Sequence, residues 1–554
     1  GDWRKGAFMK SRMIWNDIAR NKAVALMLLL FVSAAAMLLS SAAVLGANLS
    51  GSIDRLMQDA RTPHFMQMHT GELELDRLEA FAAEQAQVSQ FQVVRFLNMD
   101  NDSIEINGGT LSCSLQDNGF CTQSGQFDFL LDADGVPVRP ADGEVYAPVF
   151  YRKDGVMKLG DTISIHGLRF TIAGFVRDSQ MNSALASSKR FVVSEADYAR
   201  LEPFGAVEYL IEFCLDDRSH LGAFTAAYSA AGLPANGPAL TWPLFRMMSA
   251  ISDGIMIAVV LLVGILVILI ALLCIRFTLL AKIEDDYREI GTMKAIGMRV
   301  SDIRSLYLST YGAILAAGCV LGFGLSLLFV RLMTGGIRQN LGSSGNDTAA
   351  FLLGLAGVLL LFLFVLLYVS ANLRRFGRIS AAEAIRFGMA GQNQAGAKTV
   401  RLGGGIPLNL SLGMQDVWIR KRLYGTMFIV VILAVFIMIV PQNLYHTISA
   451  KDFITYMGVG LCDLRMDLQQ IDRMGEKVAD IAACLEADSA VSEFAVLTTK
   501  TFGVRLEDGT TENSKVELGD HAVFPVACVS GRMPLSEQEI SLSVLCAEEW
   551  EKEA

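Results

Sequence analysis

Five stretches of this chain contain no Asp, Glu, Lys or Arg for longer than the roughly 20 residues a helix needs to cross a bilayer. They are Ala23–Ser52, Gly254–Ile275, Ser305–Val330, Thr348–Leu373 and Leu423–Ala450. One such run alone is compatible with a buried helix of a soluble protein; five predict an α-helical multi-pass membrane protein. The first run is about twice the length of a signal-peptide core. A similar stretch recurs internally at Leu423, so the first reads as a retained anchor. Pro441 predicts an early end to the fifth.

Between the first two runs the pattern changes. Ile53–Arg61 and Glu72–Gln87 carry helical spacing, while 103–112, 143–150, 161–166 and 168–175 alternate as strands do. The stretch Lys158–Asp178 reads as two strands around a tight His166–Gly167 turn. A mixed α/β domain over 53–252 follows. The segment 387–410 is glycine-rich and reads as a flexible linker.

Composition adds that 52% of the residues are hydrophobic, and that the net charge of −10 is unevenly placed. Basic residues favour the cytoplasmic side of short loops. They gather before the first run (Arg4, Lys5, Lys10, Arg12, Arg20, Lys22), between the second and third (Arg276 to Arg304), and between the fourth and fifth (Arg374 to Arg422). This alternation predicts a cell-membrane protein with a cytosolic N-terminus and large domains outside. The expected boundaries are a cytosolic interfacial helix at 1–22, the first span at 23–52, and an extracellular α/β domain at 53–252. A domain with three spans and a cytosolic segment 276–304 follows at 253–373, then a cytosolic linker at 374–422, a fifth span at 423–450, and a second extracellular region at 451–554. Outside the cell Cys113 and Cys121 can close a small disulfide loop; a free, buried thiol is the alternative.

The interfacial helix rests on Phe8, Ile14, Trp15 and Ile18, which share one arc opposite Lys10, Asp17 and Arg20. Asn16 onward resembles Gln415 onward, with Asp17 matching Asp416 and Lys22 matching Lys421. Arg139 onward resembles Arg532 onward in the same order. The two echoes predict a duplicated plan, a chain that is incomplete here, and three further spans in a whole of about 780 residues.

Catalytic chemistry finds little support. Gly391–Thr399 approaches a phosphate-binding loop, but Ala397 adds a residue before Lys398 and no strand precedes it. His64 and His69 are spaced wrongly for one helix face, so no metal is expected, and no nucleophile elbow or paired-carboxylate site is found. The centres of the spans carry no Asp, Glu, Lys, Arg or His, which argues against an ion channel or proton-coupled transporter. Gly318, Gly322 and Gly324, with Ala317, predict a close-packing face on the third span.

One charged segment between spans stands out, "IEDDYREIGTMKAIGMR" (Ile283–Arg299). The second span can continue into it as a helical stalk. Glu284 and Arg288 can pair at i,i+4. Gly291 and Gly297 are expected to bound a short piece, Thr292–Ile296, and Ser301 and Asp302 to cap the third span. The expected outcome is a knuckle exposing Met293, Ala295, Ile296 and Met298, an apolar surface suited to a partner.

This segment resembles the signature of FtsX-like ABC transporter permeases, the group that includes MacB, which reads approximately R-E-I-G-x-x-x-A-x-G-x-x-x-x-x-I. Arg288, Glu289, Ile290, Gly291, Ala295, Gly297 and Ile303 match. Ile379–Arg386 resembles the family segment after span four, with Ala381 where proline is usual. A glutamate common early in span three is replaced, by Thr310. The resemblance implies a permease subunit, not an enzyme, that binds no cofactor itself. A separate cytosolic ABC ATPase, acting as a dimer and holding ATP and Mg, would grip Arg288, Glu289, Gly291, Met293, Lys294, Ala295, Ile296, Gly297 and Met298. The span-two stalk would then move the outer domain, for export, extraction or resistance involving peptides, lipids or hydrophobic drugs. The alternative is a signal device that controls an extracellular hydrolase or senses an antibiotic without transport. Membrane lipids, a second permease and an extracellular accessory protein are the other expected partners; nucleic acid is not.

Overall fold

The computed structural model describes residues 19, 22–112, 114, 116–153, 155–183, 186–345, 347–374, 410, 413–414, 417–418, 421–450, 455, 458–466, 468, 473–505, 511–526, 528–534, 536, 539–543 and 547. The interfacial helix expected at 1–22, the phosphate-loop look-alike, the 374–422 linker and the Ile379–Arg386 match therefore lie outside the described residues, or nearly so. The chain divides into two units, Gly1–Met438 and Ile439–Ala554.

Helix α1 (Lys22–Asp59) opens the first unit. The separate helix expected at Ile53–Arg61 is its continuation, because Ile53, Leu56 and Met57 extend the buried face at helical spacing. The α/β domain follows: β1 (Phe65–Thr70), α2 (Leu75–Glu84), β2 (Val88–Met99), β3 (Ile104–Ile106), β4 (Gly109–Thr110), β5 (Asp117–Cys121), β6 (Glu144–Pro148), α3 (Val149–Lys153), β7 (Thr162–Ile165), β8 (Leu168–Val176), β9 (Ser188–Val192), α4 (Glu195–Leu201), β10 (Ala206–Leu215), α5 (Leu221–Ala230) and β11 (Ala239–Thr241). They form one sheet in the order β11-β1-β10-β2-β5-β9-β6-β8-β7-β3-β4. Pairing is mostly antiparallel, with β5–β9 and β6–β8 parallel.

The β7–β8 hairpin turns at His166 and Gly167, with φ of 47° and 84°, the left-handed pair that matches strand twist. Asn107 and Gly108 repeat the device with φ of 50° and 87°. The stretch expected as one strand at 103–112 is therefore a second hairpin, β3–β4.

Four helices complete the membrane part: α6 (Trp242–Asp285), α7 (Tyr287–Ala295), α8 (Val300–Leu341) and α9 (Asp347–Asn372). Then α10 (Lys421–Ile448) continues through Pro441, so the early end expected there does not occur. Among the described residues, five helices are long and apolar enough to cross a membrane: α1, α6, α8, α9 and α10. The fold is an α-helical multi-pass membrane protein bearing a mixed α/β domain.

Helix α1 is the hub, buried through small and polar residues such as Ala35, Ala36, Ser40 and Ser41. Neighbouring helices meet it through glycine. A Cβ on Gly318 would lie 2.8 Å from Val32, one on Gly322 would lie 2.7 Å from Ala36, and one on Gly354 of α9 would lie 2.6 Å from Val44. Gly324 meets nothing within 4 Å, and Ala317 is exposed, so they do not share the packing face expected of them. The difference is one of helical phase: Gly318 and Gly322 are i,i+4, while Gly324 points away.

Nearer the sheet, Leu45, Leu49 and Leu56 of α1, Met66 and Leu210 of the sheet, Phe245 of α6, and Ile337 and Leu341 of α8 form one apolar core. Helix ends and sheet are thus bound by burial, at about 25 cal/mol for each Å² of apolar surface removed from water.

The sheet also buries charge. Arg190 on β9 is 1% exposed and contacts Asp178 at 2.6 Å and Asp128. Lys189 donates to the carbonyls of Met181, Ser183 and Ala186 at 3.0, 2.9 and 2.7 Å, and burial pushes its ammonium down to about 8. Glu212 on β10 accepts from Gln92 at 2.8 Å and Gln180 at 2.7 Å. Burial, and then the Asp128 carboxylate, hold Glu212 well above the usual carboxylate range. An acid whose folded-state value is raised loses stability as pH climbs from its ordinary 4.5 toward that value. Glu212→Gln is therefore expected to raise the unfolding temperature near neutral pH. The gain should shrink as pH falls toward 4.5. Thermal melts of the two proteins across that range check it, and a gain that grows in acid would contradict it.

In the second unit, α11 (Met474–Ala487) precedes an antiparallel pair, β12 (Thr498–Arg505) and β13 (Thr511–Leu518). The stretch after Arg532, which echoes the stretch after Arg139, carries no strand among its described residues.

Candidate functional site

Two of the longest helices, α6 and α8, meet their connecting segment at residues 286–299, and the elbow there is built in two steps. The first is a break at Asp286, which ends α6 and begins α7 with φ −87° and ψ 9°. This is the sparsely populated bridge region, a conformation that needs support. Support comes from the side chain: Tyr307 of α8 donates to the Asp286 carboxylate at 2.6 Å and Lys282 pairs with it at 3.2 Å. Tyr287 and Ile290 of α7 are buried, as is Ile303 at the start of α8. Nearby, Arg304 donates to the carbonyl and hydroxyl of Ser370 at 2.6 Å each, tying α8 to α9.

The second step is the turn at Gly297. Its φ is 97°, a left-handed conformation that costs a side-chain-bearing residue energy. Met298 N donates to Met293 O at 3.1 Å and Gly297 N to Lys294 O at 3.1 Å. That pair of bonds is the Schellman ending of a helix, with glycine at the left-handed position.

Several expected details differ. The break falls at Asp286 and not at Gly291, which is helical and buried within α7. The Asp286 break also separates Glu284 from Arg288, and Lys282–Asp286 is the pair formed. Arg299 occupies the N-cap of α8 with no side-chain cap, so Ser301 and Asp302 do not cap it. Arg288 and Glu289 are exposed, and Lys294 is half-buried. Met293 is partly buried against the membrane core. The outward apolar surface consists of Ala295, Ile296 at 78% exposure, Met298 and Val300. Thr310 is buried, its hydroxyl on the Leu306 carbonyl at 3.4 Å. The Asp286 knot escaped sequence reasoning because its partner Tyr307 lies on another helix. The triplet Glu284-Asp285-Asp286 was a signal, since a helix can turn only one of the three inward.

Other sequence candidates lie elsewhere. His64 accepts from Leu215 N at 2.9 Å, and burial, with Arg218 nearby, lowers its value. The His69 ring bonds the Glu72 carbonyl at 3.0 Å. Among the described residues no cluster of His, Cys, Asp and Glu could hold a metal. Cys121 is a free, buried thiol that burial pushes up to about 12. Cys113, its expected partner, lies outside the described residues.

What the elbow can do is mechanical. Exposed apolar groups at the end of a short helix and in the turn after it, fixed to two rods by a buried carboxylate and a glycine turn, present a surface that water solvates poorly.

Residues 261–377, which span the membrane half of α6, the elbow, α8 and α9, match the family described as FtsX-like permease C-terminal. Among solved structures, the periplasmic region of MacB from Actinobacillus actinomycetemcomitans matches with 10% identity and a TM-score of 0.21, over 33% of this chain and 91% of that one. No curated protein matches the chain.

Proposed function

We propose, from the match of residues 261–377 to the FtsX-like permease C-terminal family, that this chain is the membrane subunit of an ABC transporter whose ATP hydrolysis takes place on a separate cytosolic ATPase. The elbow is the ATPase docking surface, and α6 and the α/β domain are what the ATPase moves. ATP and its Mg ion belong to that partner, acting as a dimer. The basic loops support an elbow in the cytosol and an α/β domain outside.

The observation that carries this reading is the exposed apolar rim Ala295-Ile296-Met298-Val300 on a rigidly held elbow. Burying Ile296 and Met298 in a partner groove would contribute about 1.5–3 kcal/mol each. The outer domain is fused to α6 through β11 with no intervening linker, since Thr241 ends the strand and Trp242 starts the helix. Uncharged span centres support cargo handled at the outer face: peptides, lipids or hydrophobic drugs.

The test is Ile296→Asp with Met298→Asp in the full-length chain, read by copurification of the ATPase. Two buried charges without partners should lower capture at least tenfold, which is about 1.4 kcal/mol. The melting curve should stay that of the parent, because both positions are exposed. Undiminished capture rejects the elbow as the docking surface.

A second reading draws on the close glycine packing of α8 and α9 against α1. In it the same stroke crosses the membrane as movement alone, and drives an extracellular hydrolase or reports an antibiotic. Cargo accumulation in vesicles separates the two.

A further inference from the structure

Helix α8 starts at the elbow and ends at the α/β domain. Its 42 residues span roughly 60 Å. The last carbonyls of any helix lack partners within it. Here side chains of the α/β domain take three in a row. Arg177 donates to Arg338 O at 3.0 Å and to Gln339 O at 3.3 Å, and Asn182 donates to Asn340 O at 2.6 Å. A guanidinium also suits the negative end of the helix dipole. Ser183 extends the grip to α6, donating to Met248 O at 2.9 Å.

The same segment is bolted to the sheet from behind. Asp178 receives two bonds from Arg190 at 2.6 Å each. Gln180 donates to Glu212 at 2.7 Å. Lys189 holds the Met181 and Ser183 carbonyls. Residues 177–183 therefore have one side in β9 and β10 and the other on the ends of α8 and α6.

We propose that residues 177–183 are a clasp that makes α8 a second transmission rod. Displacement at the elbow reaches β9 and β10 through the α8 end, in addition to the α6–β11 junction. The inference rests on the coupling role proposed for the elbow, and its test perturbs the elbow by mutation so that the two fail separately. Arg177 and Asn182 are positioning residues: they touch helix carbonyls, not a ligand.

The test uses the full-length chain in lipid nanodiscs and hydrogen exchange of β9 and β10. The elbow is disturbed by Asp286→Lys, which removes the carboxylate holding the break, and in parallel by the milder Gly297→Ala. The clasp is opened by Arg177→Ala with Asn182→Ala, leaving the Arg190–Asp178 pair in place. With the clasp intact, either elbow change should speed exchange in β9 by about fivefold or more. In the open-clasp background the same elbow change should add clearly less, only what the α6–β11 junction passes on, a non-additivity that a merely local role would not produce. An elbow effect of undiminished size with the clasp open overturns the proposal. So does a β9 that ignores Asp286→Lys and Gly297→Ala altogether. ATPase capture by the open-clasp variant should equal that of the parent, because its elbow is untouched. Undiminished capture in the Ile296 and Met298 test sinks the docking reading alone.

Discussion

Arg190→Met is expected to cost the α/β domain about 3–5 kcal/mol, a large share of the roughly 5–15 kcal/mol that holds a domain folded. The side chain is 1% exposed and lies against Asp128 and Asp178, with Glu212 also buried nearby. Methionine fills much of the volume but leaves the Asp128 and Asp178 carboxylates without the guanidinium that they share. The Arg190 charge, with hydrogen bonds to the same carboxylate, holds Asp178 below the ordinary range against the opposing effect of burial. For a group lowered in this way, the contribution is present above its ordinary 3.8 and lost as pH falls through the folded-state value. The gap between variant and parent should therefore narrow in acid. Adding Asp128→Asn and Asp178→Asn should recover part of the loss, since the uncompensated charges are then gone. Chemical denaturation with a probe in the α/β domain reads all three. If Arg190→Met alone costs less than about 1 kcal/mol, the network is not what holds these strands.

Gly322→Leu should have the next largest effect. A Cβ there would lie 2.7 Å from Ala36 Cβ and still closer to the Ser33 carbonyl of α1. Backbone cannot yield as a flexible side-chain end can, so α8 must move away from α1. Overpacking costs about 1–3 kcal/mol even before the neighbouring contacts are lost. The expected result is poor recovery of folded protein from membranes. Gly324→Leu is the control two residues on: it meets nothing within 4 Å and should be recovered like the parent. Similar recovery of both variants would mean that α1 and α8 do not pack as described.

These residues also show what sequence can and cannot reveal. The long apolar runs were legible because a bilayer demands length and apolarity, both local properties. The hairpin at His166–Gly167 was legible because its φ values are written in the residue types. The elbow's position was legible from charge between apolar runs, and its end at Gly297 from glycine alone. Its start was not. Asp286 became the break because Tyr307 and Lys282 hold it, while Gly291, which looked like a helix breaker, is packed inside α7. Gly324 was grouped with Gly318 and Gly322 by proximity when helical phase decides. The buried network was wholly hidden: residues 128, 178, 190 and 212 are scattered along the chain, and charged residues between strands read as loops until the sheet brings them together.

Helix α1 carries a consequence for biogenesis. It is made before α6, α8 and α9, whose surfaces much of it is shaped to fit, and these follow only after the whole α/β domain has been translated. Until then Ser40 and Asn48, which Ser326 and Ser344 partner in the folded protein, face lipid or the insertion machinery alone. A ribosome that stalls before α9 thus leaves a half-built helix bundle marked by polar groups in hydrocarbon, a state that membrane quality control can recognise and remove.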